Sequence, residues 1–243
     1  DKLNVAVPTG NFGNILACYY AKRMGLPIGR LICASNRNDV LTEFLTTGTY
    51  NRKREFHLTN TPSMDILISS NLERYLFELF GREARAVAYC MYRLNEGGEY
   101  SVTAEALDQI REEFAAYSCD DQKTLDTIRE IYDRCGYVMD THTAVAVNAL
   151  EQYQQETGDR TPTLVVSTAS PFKFADSVLT ALGREVPAGE FDCLRALSEV
   201  SGLAVPASLA QLEELPVRFE GAVRPQEMEH ALLHALRKMD ESM

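Results

Sequence analysis

Basic residues are scarce in this chain of 243 residues: 24 Lys and Arg stand against 35 Asp and Glu, which gives a formal net charge of -11. This balance argues against a nucleic-acid-binding protein, which needs a basic face. It is compatible with an anionic substrate if a local pocket lined by N–H groups overrides the overall charge. No apolar run approaches the roughly 18–20 residues of a membrane span, and no signal peptide is recognisable. The sequence therefore predicts neither nucleic-acid nor membrane partners.

Patterns typical of metal sites and disulfide frameworks are also missing. The six cysteines are scattered, with no Cys-x-x-Cys pair. This favours reduced, mostly buried thiols in a cytoplasmic protein. Of the four histidines, only His230 and His234 have i, i+4 spacing, and no Glu lies between them as it does in the zincin pattern. We therefore expect no metal site.

The chain opens with a strand, a glycine-containing turn and a helix. Val5–Val7 is a short β-branched run that predicts a buried strand. Pro8 and Gly10 break this run, and residues 15–25 carry apolar side chains at helical spacing. In this arrangement the turn presents backbone N–H groups at the positive end of the helix dipole, which favours a phosphate ligand.

The turn itself reads Gly-Asn-Phe-Gly-Asn over residues 10–14. We expect Gly10 and Gly13 to allow close backbone approach and positive φ, and the side chains of Asn11 and Asn14 to add hydrogen-bond donors. The turn lacks the Gly-Lys-Ser/Thr ending of a P-loop and the glycine spacing of a dinucleotide fingerprint. A tight βα turn without any ligand is therefore the alternative.

A second strand is predicted over Arg30–Ala34, so the first helix forms a crossover between two parallel strands. Residues 36–39 follow this strand at its carboxyl end, where open α/β sheets place their ligands. Asn38 or Asp39 is also a natural N-cap for a helix over Val40–Thr46. Ligand binding and helix capping both remain open for this tetrapeptide.

The polar stretch of residues 48–61 contains Arg52, Lys53 and Arg54 in a row. One interpretation is a solvated, mobile loop, which is the usual fate of a charge run. The other is a lid or rim that attracts a phosphorylated substrate. Three charges are too short a run to decide between them.

The remaining sequence is mainly helical. Periodicity predicts helices over residues 71–80, 82–95, 103–116, 124–135 and 144–155, a strand or extended segment over 137–140, and a strand over 163–167 that ends in hydroxyl side chains. Frequent Pro and Gly after residue 183 break the chain into short helices over 190–200, 207–215 and 226–238, with a possible edge strand over 216–221. We expect residues 1–183 to form the ligand-binding portion and residues 184–243 a helical cap of the same domain.

Five blocks of this sequence resemble, in matching order, the threonine synthases, which are pyridoxal-phosphate (PLP) enzymes of fold type II. The blocks are Pro8-Thr-Gly-Asn-Phe-Gly-Asn14, Ala34-Ser-Asn-Arg-Asn-Asp39, Thr61-Pro-Ser-Met-Asp-Ile66, Asp140-Thr-His-Thr-Ala-Val145 and Ser167-Thr-Ala-Ser-Pro-Phe-Lys-Phe174. They extend over most of the chain. The family has proline where this chain has Thr141, which makes the local turn less rigid but removes no chemical group.

The resemblance implies an α/β fold with an open, mostly parallel sheet flanked by helices, of the tryptophan-synthase-β-like type. It implies that the chain forms an incomplete large domain of that fold. It also implies PLP as cofactor, and the conversion of O-phospho-L-homoserine and water to L-threonine and phosphate in threonine biosynthesis.

Site residues follow from the same resemblance. The cofactor's phosphate is assigned to the turn Gly10, Asn11, Phe12, Gly13 and Asn14. The Thr168 hydroxyl is placed against the pyridine nitrogen of PLP, with Ser167 as the neighbouring alternative, and a neutral hydroxyl can donate to an unprotonated ring nitrogen. The candidate substrate-binding residues are Asn38, Asp39, Ser63 and His142. For His142 the alternative is a histidine at a helix start, bonded to the backbone.

The lysine that holds PLP as a Schiff base is the missing element. In the family it belongs to a Phe-Lys-Asp stretch well before the phosphate loop, and no such stretch occurs here. Lys173 lies near Thr168, but within a helix start that the family shares. We therefore expect the lysine upstream of residue 1, in a missing N-terminal half of the same protein, so that this fragment is inactive alone.

Two other functions stay open. One is another fold-type-II PLP enzyme, such as a threonine or serine dehydratase or a cysteine synthase. Those enzymes share the phosphate-binding turn but lack the Pro62-Ser-Met-Asp65 and Thr168-Ala-Ser-Pro-Phe-Lys-Phe174 blocks. The other is a non-catalytic phosphate-binding α/β domain, which would bind many phosphate ligands without preference for PLP. Substrate profiling and a comparison of phosphate ligands would separate them.

Overall fold

The computed structural model describes residues 2–217 and 221–240. The chain divides into two compact units, Asp1–Val205 and Pro206–Met243. In the first unit, strands are β1 (Leu3–Pro8), β2 (Ile28–Ser35), β3 (Thr49–Asn51), β4 (Glu99–Ser101), β5 (Phe114–Ser118) and β6 (Thr163–Val165). Its α-helices are α1 (Gly13–Arg23), α2 (Val40–Thr47), α3 (Leu72–Leu79), α4 (Ala84–Gly97), α5 (Ala104–Glu113), α6 (Asp121–Cys135), α7 (Thr141–Thr157), α8 (Ala175–Ala181) and α9 (Glu190–Ser201). Short 3-10 helices span Pro62–Met64 and Pro171–Phe174.

The second unit contains α10 (Ala207–Ala210), α11 (Met228–Asp240) and 3-10 turns over Gln211–Glu214 and Pro225–Glu227. Helix α9 belongs to the first unit, where it packs on α8. The cap expected over residues 184–243 stays a prediction. None of the described helices has the length and apolar character that a membrane span requires.

A four-stranded parallel sheet organises the first unit, in the order β5-β2-β1-β6. Helix α1 connects the adjacent parallel strands β1 and β2, as the strand–helix–strand pattern predicted. In the register of the sheet, Ala6 of β1 lies beside Ile32 of β2 and Val165 of β6. The predicted α/β fold with an open, mostly parallel sheet flanked by helices is confirmed.

The two faces of the sheet are buried against different helices, because successive side chains along a strand alternate in direction. On one face Ala6 and Ile32 belong to a core with Val145 and Ala149 of α7. On the other face the larger side chains of Val5, Val7, Leu31 and Cys33 belong to a core with apolar residues of α1 to α5. Burial on both faces explains why these strands read as continuous apolar runs.

Strand β5 was not predicted from the sequence. The helix expected over residues 103–116 ends at Glu113, and Phe114–Ser118 pairs with β2 at the edge of the sheet. Phe114 is buried with its ring centroid 5.0 Å from that of Tyr75 and 5.7 Å from that of Phe12. Tertiary burial and strand pairing therefore outweigh the helix propensity of Ala115 and Ala116.

Three smaller predictions also need correction. Strand β3 interrupts the loop expected over residues 48–61 and pairs with β4 in a separate two-stranded antiparallel sheet. Helix α7 begins at Thr141 rather than Ala144. Pro216 and Val217 lie in no strand, and residues 218–220 of the expected edge strand are outside the described residues.

Candidate functional site

A cavity of about 320 Å³ lies where β1 and β6 end and α1 and α7 begin. This is the edge at which open α/β sheets bind ligands, and the volume lies at the low end of the range for small-molecule pockets. Its lining residues are Pro8, Thr9, Gly10, Asn11, Phe12, Gly13, Asn14, Ser63, Met64, Asn71, His142, Thr168, Ala169 and Lys173. The structure thus brings together the whole 10–14 turn, Thr168, Ser63 and His142.

The backbone of the turn is anchored by Phe12. This residue takes the left-handed conformation, with φ of 60°, which non-glycine residues adopt uncommonly. Its ring is fully buried and packs against Tyr75 and Phe114. The expectation that Gly10 and Gly13 adopt positive φ is wrong, because neither is among the positive-φ residues of the described chain. Burial of the Phe12 ring holds the unusual conformation in place.

Gly10 allows the close backbone approach that the sequence predicted, but the group that approaches it is another segment of the chain. A Cβ at this position would lie 3.0 Å from Met64 Cα and 3.2 Å from Ile66 Cδ1. The turn is therefore packed directly against the segment that carries Ser63. At Gly13 the nearest atom to such a Cβ is Asn71 Nδ2 at 3.5 Å, which is an ordinary contact.

Asn11 fastens the turn to the start of α3. Asn11 Oδ1 accepts hydrogen bonds from the Ser70 N–H at 2.6 Å and the Ser70 hydroxyl at 2.9 Å. Asn71 Nδ2 donates to the Asn11 carbonyl at 2.9 Å. The Asn11 amide oxygen is thus committed to the protein, so the residue contributes rigidity to the turn.

The first turn of α1 retains unsatisfied N–H groups. Among the described residues, no side chain caps this helix and no acidic residue lies in its first turn. The first intrahelical bond runs from the Leu16 N–H to the Phe12 carbonyl, and Gly13 and Asn14 line the cavity. The positive end of an eleven-residue helix is therefore available to an anion in the cavity.

The start of α7 supplies His142. Asp140 caps the helix, because its Oδ1 accepts from the N–H groups of His142 at 2.8 Å and Thr143 at 3.2 Å. Burial raises the pKa of Asp140, but hydrogen bonds from His142 and Thr143 outweigh it and hold the pKa below its ordinary value. The capping carboxylate is thus ionised at neutral pH, which suits the positive end of the helix dipole.

The His142 ring is 3% exposed and packs against Phe174, with ring centroids 4.8 Å apart. Its Nδ1 lies 3.4 Å from Asp140 Oδ1 and 3.4 Å from Thr141 Oγ1. Its Nε2 is buried and has no hydrogen-bond partner among the described residues. The ring therefore contacts side chains, not the backbone that the alternative for this residue required, and one of its nitrogens is left to a ligand or to water.

Thr168 and Ser167 differ in their surroundings. Thr168 lines the cavity. Ser167 is not a lining residue, and its hydroxyl lies 3.2 Å from Thr143 Oγ1. Of these two residues, only Thr168 lines the space that a ligand would fill.

Ser63 and Lys173 meet across the cavity lining. Ser63 lies in the 3-10 helix that follows Thr61, and Lys173 Nζ donates to Ser63 Oγ at 3.2 Å. Sequence reasoning had set Lys173 aside as part of a helix start, and it missed Met64 and Asn71 as lining residues. The proximity of Lys173 to Thr168 along the chain was the available signal.

Asn38 and Asp39 do not line the cavity. Asn38 Nδ2 donates to the His57 carbonyl at 2.9 Å and to Asp65 Oδ1 at 3.0 Å, while Asn38 Oδ1 accepts from the His57 N–H. Asp39 occupies the N-cap position of α2 without a capping bond and pairs with Arg54 at 2.5 Å. Both side chains therefore hold the 54–65 segment in place, and their contact with a substrate stays a prediction.

Two of the three cations in the 48–61 stretch, Arg52 and Arg54, are engaged within the protein. Arg54 forms ion pairs with both Asp39 and Glu43, and Arg52 donates to the Asn95 carbonyl at 3.0 Å.

No group of three or more His, Cys, Asp or Glu side chains among the described residues is arranged to hold a metal ion.

Comparison with known proteins finds similarity to the threonine synthases. The family model "Threonine synthase, C-terminal" matches residues 143–231. The chain is 40% identical over 183 residues to the threonine synthase of Pseudomonas aeruginosa, covering 75% of this chain and 38% of that protein. It is also 40% identical over 181 residues to human threonine synthase-like 1, covering 74% of this chain and 24% of that protein. The chain is similar in sequence to the C-terminal portion of the threonine synthases.

Solved structures of threonine synthases share this fold. The yeast threonine synthase superposes with a TM-score of 0.84 at 33% identity, over 98% of this chain and 48% of that one. The PLP-bound threonine synthase from Brucella melitensis superposes with a TM-score of 0.76 at 39% identity, over 90% of this chain and 43% of that one. The chain thus spans less than half the length of these threonine synthases and corresponds to their C-terminal portion.

Proposed function

We propose that this chain supplies the cofactor-phosphate site and part of the substrate site of a PLP-dependent threonine synthase. The complete enzyme would convert O-phospho-L-homoserine and water to L-threonine and phosphate. The observation that supports this most is the single cavity shared by the 10–14 turn, Thr168, Ser63 and His142. These residues come from four separate sequence blocks, each of which resembles the threonine synthases.

The residues present fit PLP. The free N–H groups at the start of α1 suit a phosphate, and none of the described lining residues is Asp or Glu. Thr168 offers a neutral hydroxyl in the same cavity, which can donate to a pyridine nitrogen. When bound, PLP supplies the electron sink for carbanion chemistry. In this proposal Gly13 and Asn14 hold the phosphate, while Phe12 and Asn11 keep the turn rigid.

The proposed substrate residues act by binding and orientation. Ser63 and His142 line the same cavity as the phosphate turn, and Asn38 positions the segment that carries Ser63 through Asp65. The lysine that binds PLP covalently would come from an N-terminal half of the same protein. The chain alone would therefore bind PLP reversibly without turnover. The six free thiols agree with a cytoplasmic location for the protein.

The first test is to mix the chain with PLP, reduce with borohydride and map any pyridoxyllysine by peptide mass. We expect reversible PLP binding and no stoichiometrically labelled lysine. Gly13→Asp should abolish binding, because a carboxylate at the start of α1 would repel the phosphate. Gly97→Asp is the matched control, since Gly97 has open space around it and lies outside the cavity.

Stoichiometric labelling of one residue, Lys173 above all, would contradict the proposal that the PLP-binding lysine lies in the N-terminal half and not in this chain. The chain would then contain a complete PLP site of different organisation. Retention of PLP binding in Gly13→Asp would contradict the assignment of the phosphate to the 10–14 turn.

Substrate profiling of a longer protein that includes the N-terminal half separates the other candidates. Threonine and phosphate should form from O-phospho-L-homoserine. Turnover of threonine, serine or O-acetylserine instead would indicate another fold-type-II lyase or dehydratase. Equal binding of many phosphate compounds, with no turnover, would indicate a non-catalytic phosphate-binding domain.

A further inference from the structure

The cavity carries a positive charge in a strongly acidic protein. The chain has a formal net charge of -11, yet Lys173 is the only Lys, Arg, Asp or Glu among the described lining residues. A cation without an acidic neighbour in a cavity attracts anions more strongly than the overall charge would suggest.

Lys173 is not neutralised by the protein around it. No carboxylate among the described residues forms an ion pair with it, whereas Lys22 pairs with Glu113. The Lys173 ammonium contacts Ser63 Oγ at 3.2 Å and the Phe174 ring at 5.1 Å from its centroid. An ammonium has three donors, so Lys173 retains donors for a ligand after bonding to Ser63.

A buried nitrogen atom near Lys173 and Ser63 also lacks a hydrogen-bond partner among the described residues. His142 lines the cavity and is 3% exposed, and its Nε2 has no hydrogen-bond partner in the part of the chain that the structure describes. The Phe174 ring contacts both the His142 ring and the Lys173 ammonium. Buried polar atoms are rarely left unpaired, because the lost hydrogen bond to water is costly. The unpaired nitrogen therefore points independently to a ligand at this place.

We propose that Lys173 and Ser63, beside His142, form a second anion subsite that binds the phosphate monoester of the substrate. This inference rests on the proposed function, in which the free N–H groups of α1 are already used by the cofactor's phosphate. A second doubly charged phosphate in the same cavity needs its own positive charge, because like charges repel strongly at short range. Lys173 would then be the residue that selects phosphorylated amino acids over unphosphorylated ones.

The test uses the longer protein proposed above, with PLP bound. Lys173→Met should raise the KM for O-phospho-L-homoserine by about 10- to 100-fold, the usual effect of losing a charge-assisted hydrogen bond. Inhibition by inorganic phosphate should weaken by a similar factor, while PLP affinity stays within about twofold because the cofactor's phosphate lies elsewhere. Lys173→Arg should restore part of the affinity. Lys123→Met makes the same charge change at an exposed position of α6 and should change neither the KM nor the inhibition by inorganic phosphate.

Each outcome decides a different point. A KM and phosphate inhibition that are unchanged in Lys173→Met would overturn the subsite, and so would a loss of PLP affinity with unchanged phosphate inhibition. If Lys173→Met does not fold, Ser63→Ala should also raise the KM and weaken inhibition by inorganic phosphate, by smaller factors. An unchanged KM and unchanged inhibition in Ser63→Ala would also overturn the subsite. If the unsubstituted protein forms no threonine, the proposed function fails. Calorimetric titration of that protein with inorganic phosphate, compared with Lys173→Met, then still decides the subsite.

Discussion

Gly10 and Met64 pack so closely that a Cβ on residue 10 would lie 3.0 Å from Met64 Cα. The contact joins the proposed cofactor-phosphate turn to the segment that carries Ser63. The absence of a side chain at residue 10 is therefore a condition for assembling both halves of the cavity. The glycine serves packing between two segments rather than an unusual backbone conformation.

Substitution of Gly10 should separate these two segments. Gly10→Ala is expected to lower the free energy of unfolding by about 1–3 kcal/mol, because the neighbouring atom is backbone and cannot move cheaply. It should weaken PLP binding in parallel. Urea denaturation and a PLP titration measure the two effects. Gly97→Ala is the control, since its Cβ meets nothing within 4 Å, and equal unfolding free energies for the two variants would refute the packing argument.

Phe12 should be a strong determinant of stability. Its fully buried ring packs against Tyr75 and Phe114, so Phe12→Ala is expected to lower the free energy of unfolding by about 3–5 kcal/mol. Phe12→Leu, which keeps much of the buried volume, should cost less. Urea denaturation of both variants is the measurement. A cost below about 1 kcal/mol for Phe12→Ala would show that the ring does not anchor the turn.

Asp140 should make stability depend on pH in the acid range. Its pKa in the folded protein is held below the ordinary value. Its contribution is therefore complete above the unfolded-state pKa of about 3.9 and is lost as the pH falls through the folded-state pKa. Asp140→Asn keeps a good N-cap residue but removes this ionisation. The stability difference between the unsubstituted chain and Asp140→Asn should shrink as the pH is lowered from about 5 to 3.

Urea denaturation at several pH values tests this expectation. Asp108→Asn, at an exposed position of α5, provides the control for a lost carboxylate and should leave the pH profile unchanged. A stability difference for Asp140→Asn that stays constant over this pH range would contradict the assignment of an ionised cap.

The cysteines should divide into reactive and protected thiols. Burial raises the pKa of Cys33 to about 12 and that of Cys119 to about 11, so both stay protonated at pH 8 and are shielded from reagents. Cys135 is exposed. Ellman's reagent should therefore label Cys135 rapidly in the native chain, with Cys33 and Cys119 reacting only after denaturation. Peptide mapping identifies the labelled thiols, and rapid native labelling of Cys33 would contradict the buried core.

Short-range signals in the sequence were sufficient for several elements of the fold. Alternation between apolar β-branched runs and helical periodicity predicted the parallel β1–α1–β2 unit. The 10–14 turn and the hydroxyl block of residues 167–170 each follow a predicted strand, at the edge where parallel sheets bind ligands, while the resemblance to the threonine synthases singled out Thr168. Both signals depend on neighbours within a few positions along the chain.

Only the tertiary structure determined the features that depend on contacts between residues far apart in sequence. Phe114–Ser118 became a strand because pairing with β2 and burial of Phe114 outweighed local helix propensity. Phe12, and not a glycine of the turn, has positive φ, because its ring is buried against residues that are far away in sequence. Lys173 met Ser63 across 110 positions of the chain. A local pattern cannot encode such contacts, because their free energy comes from burial and hydrogen bonding between segments that only the complete fold brings together.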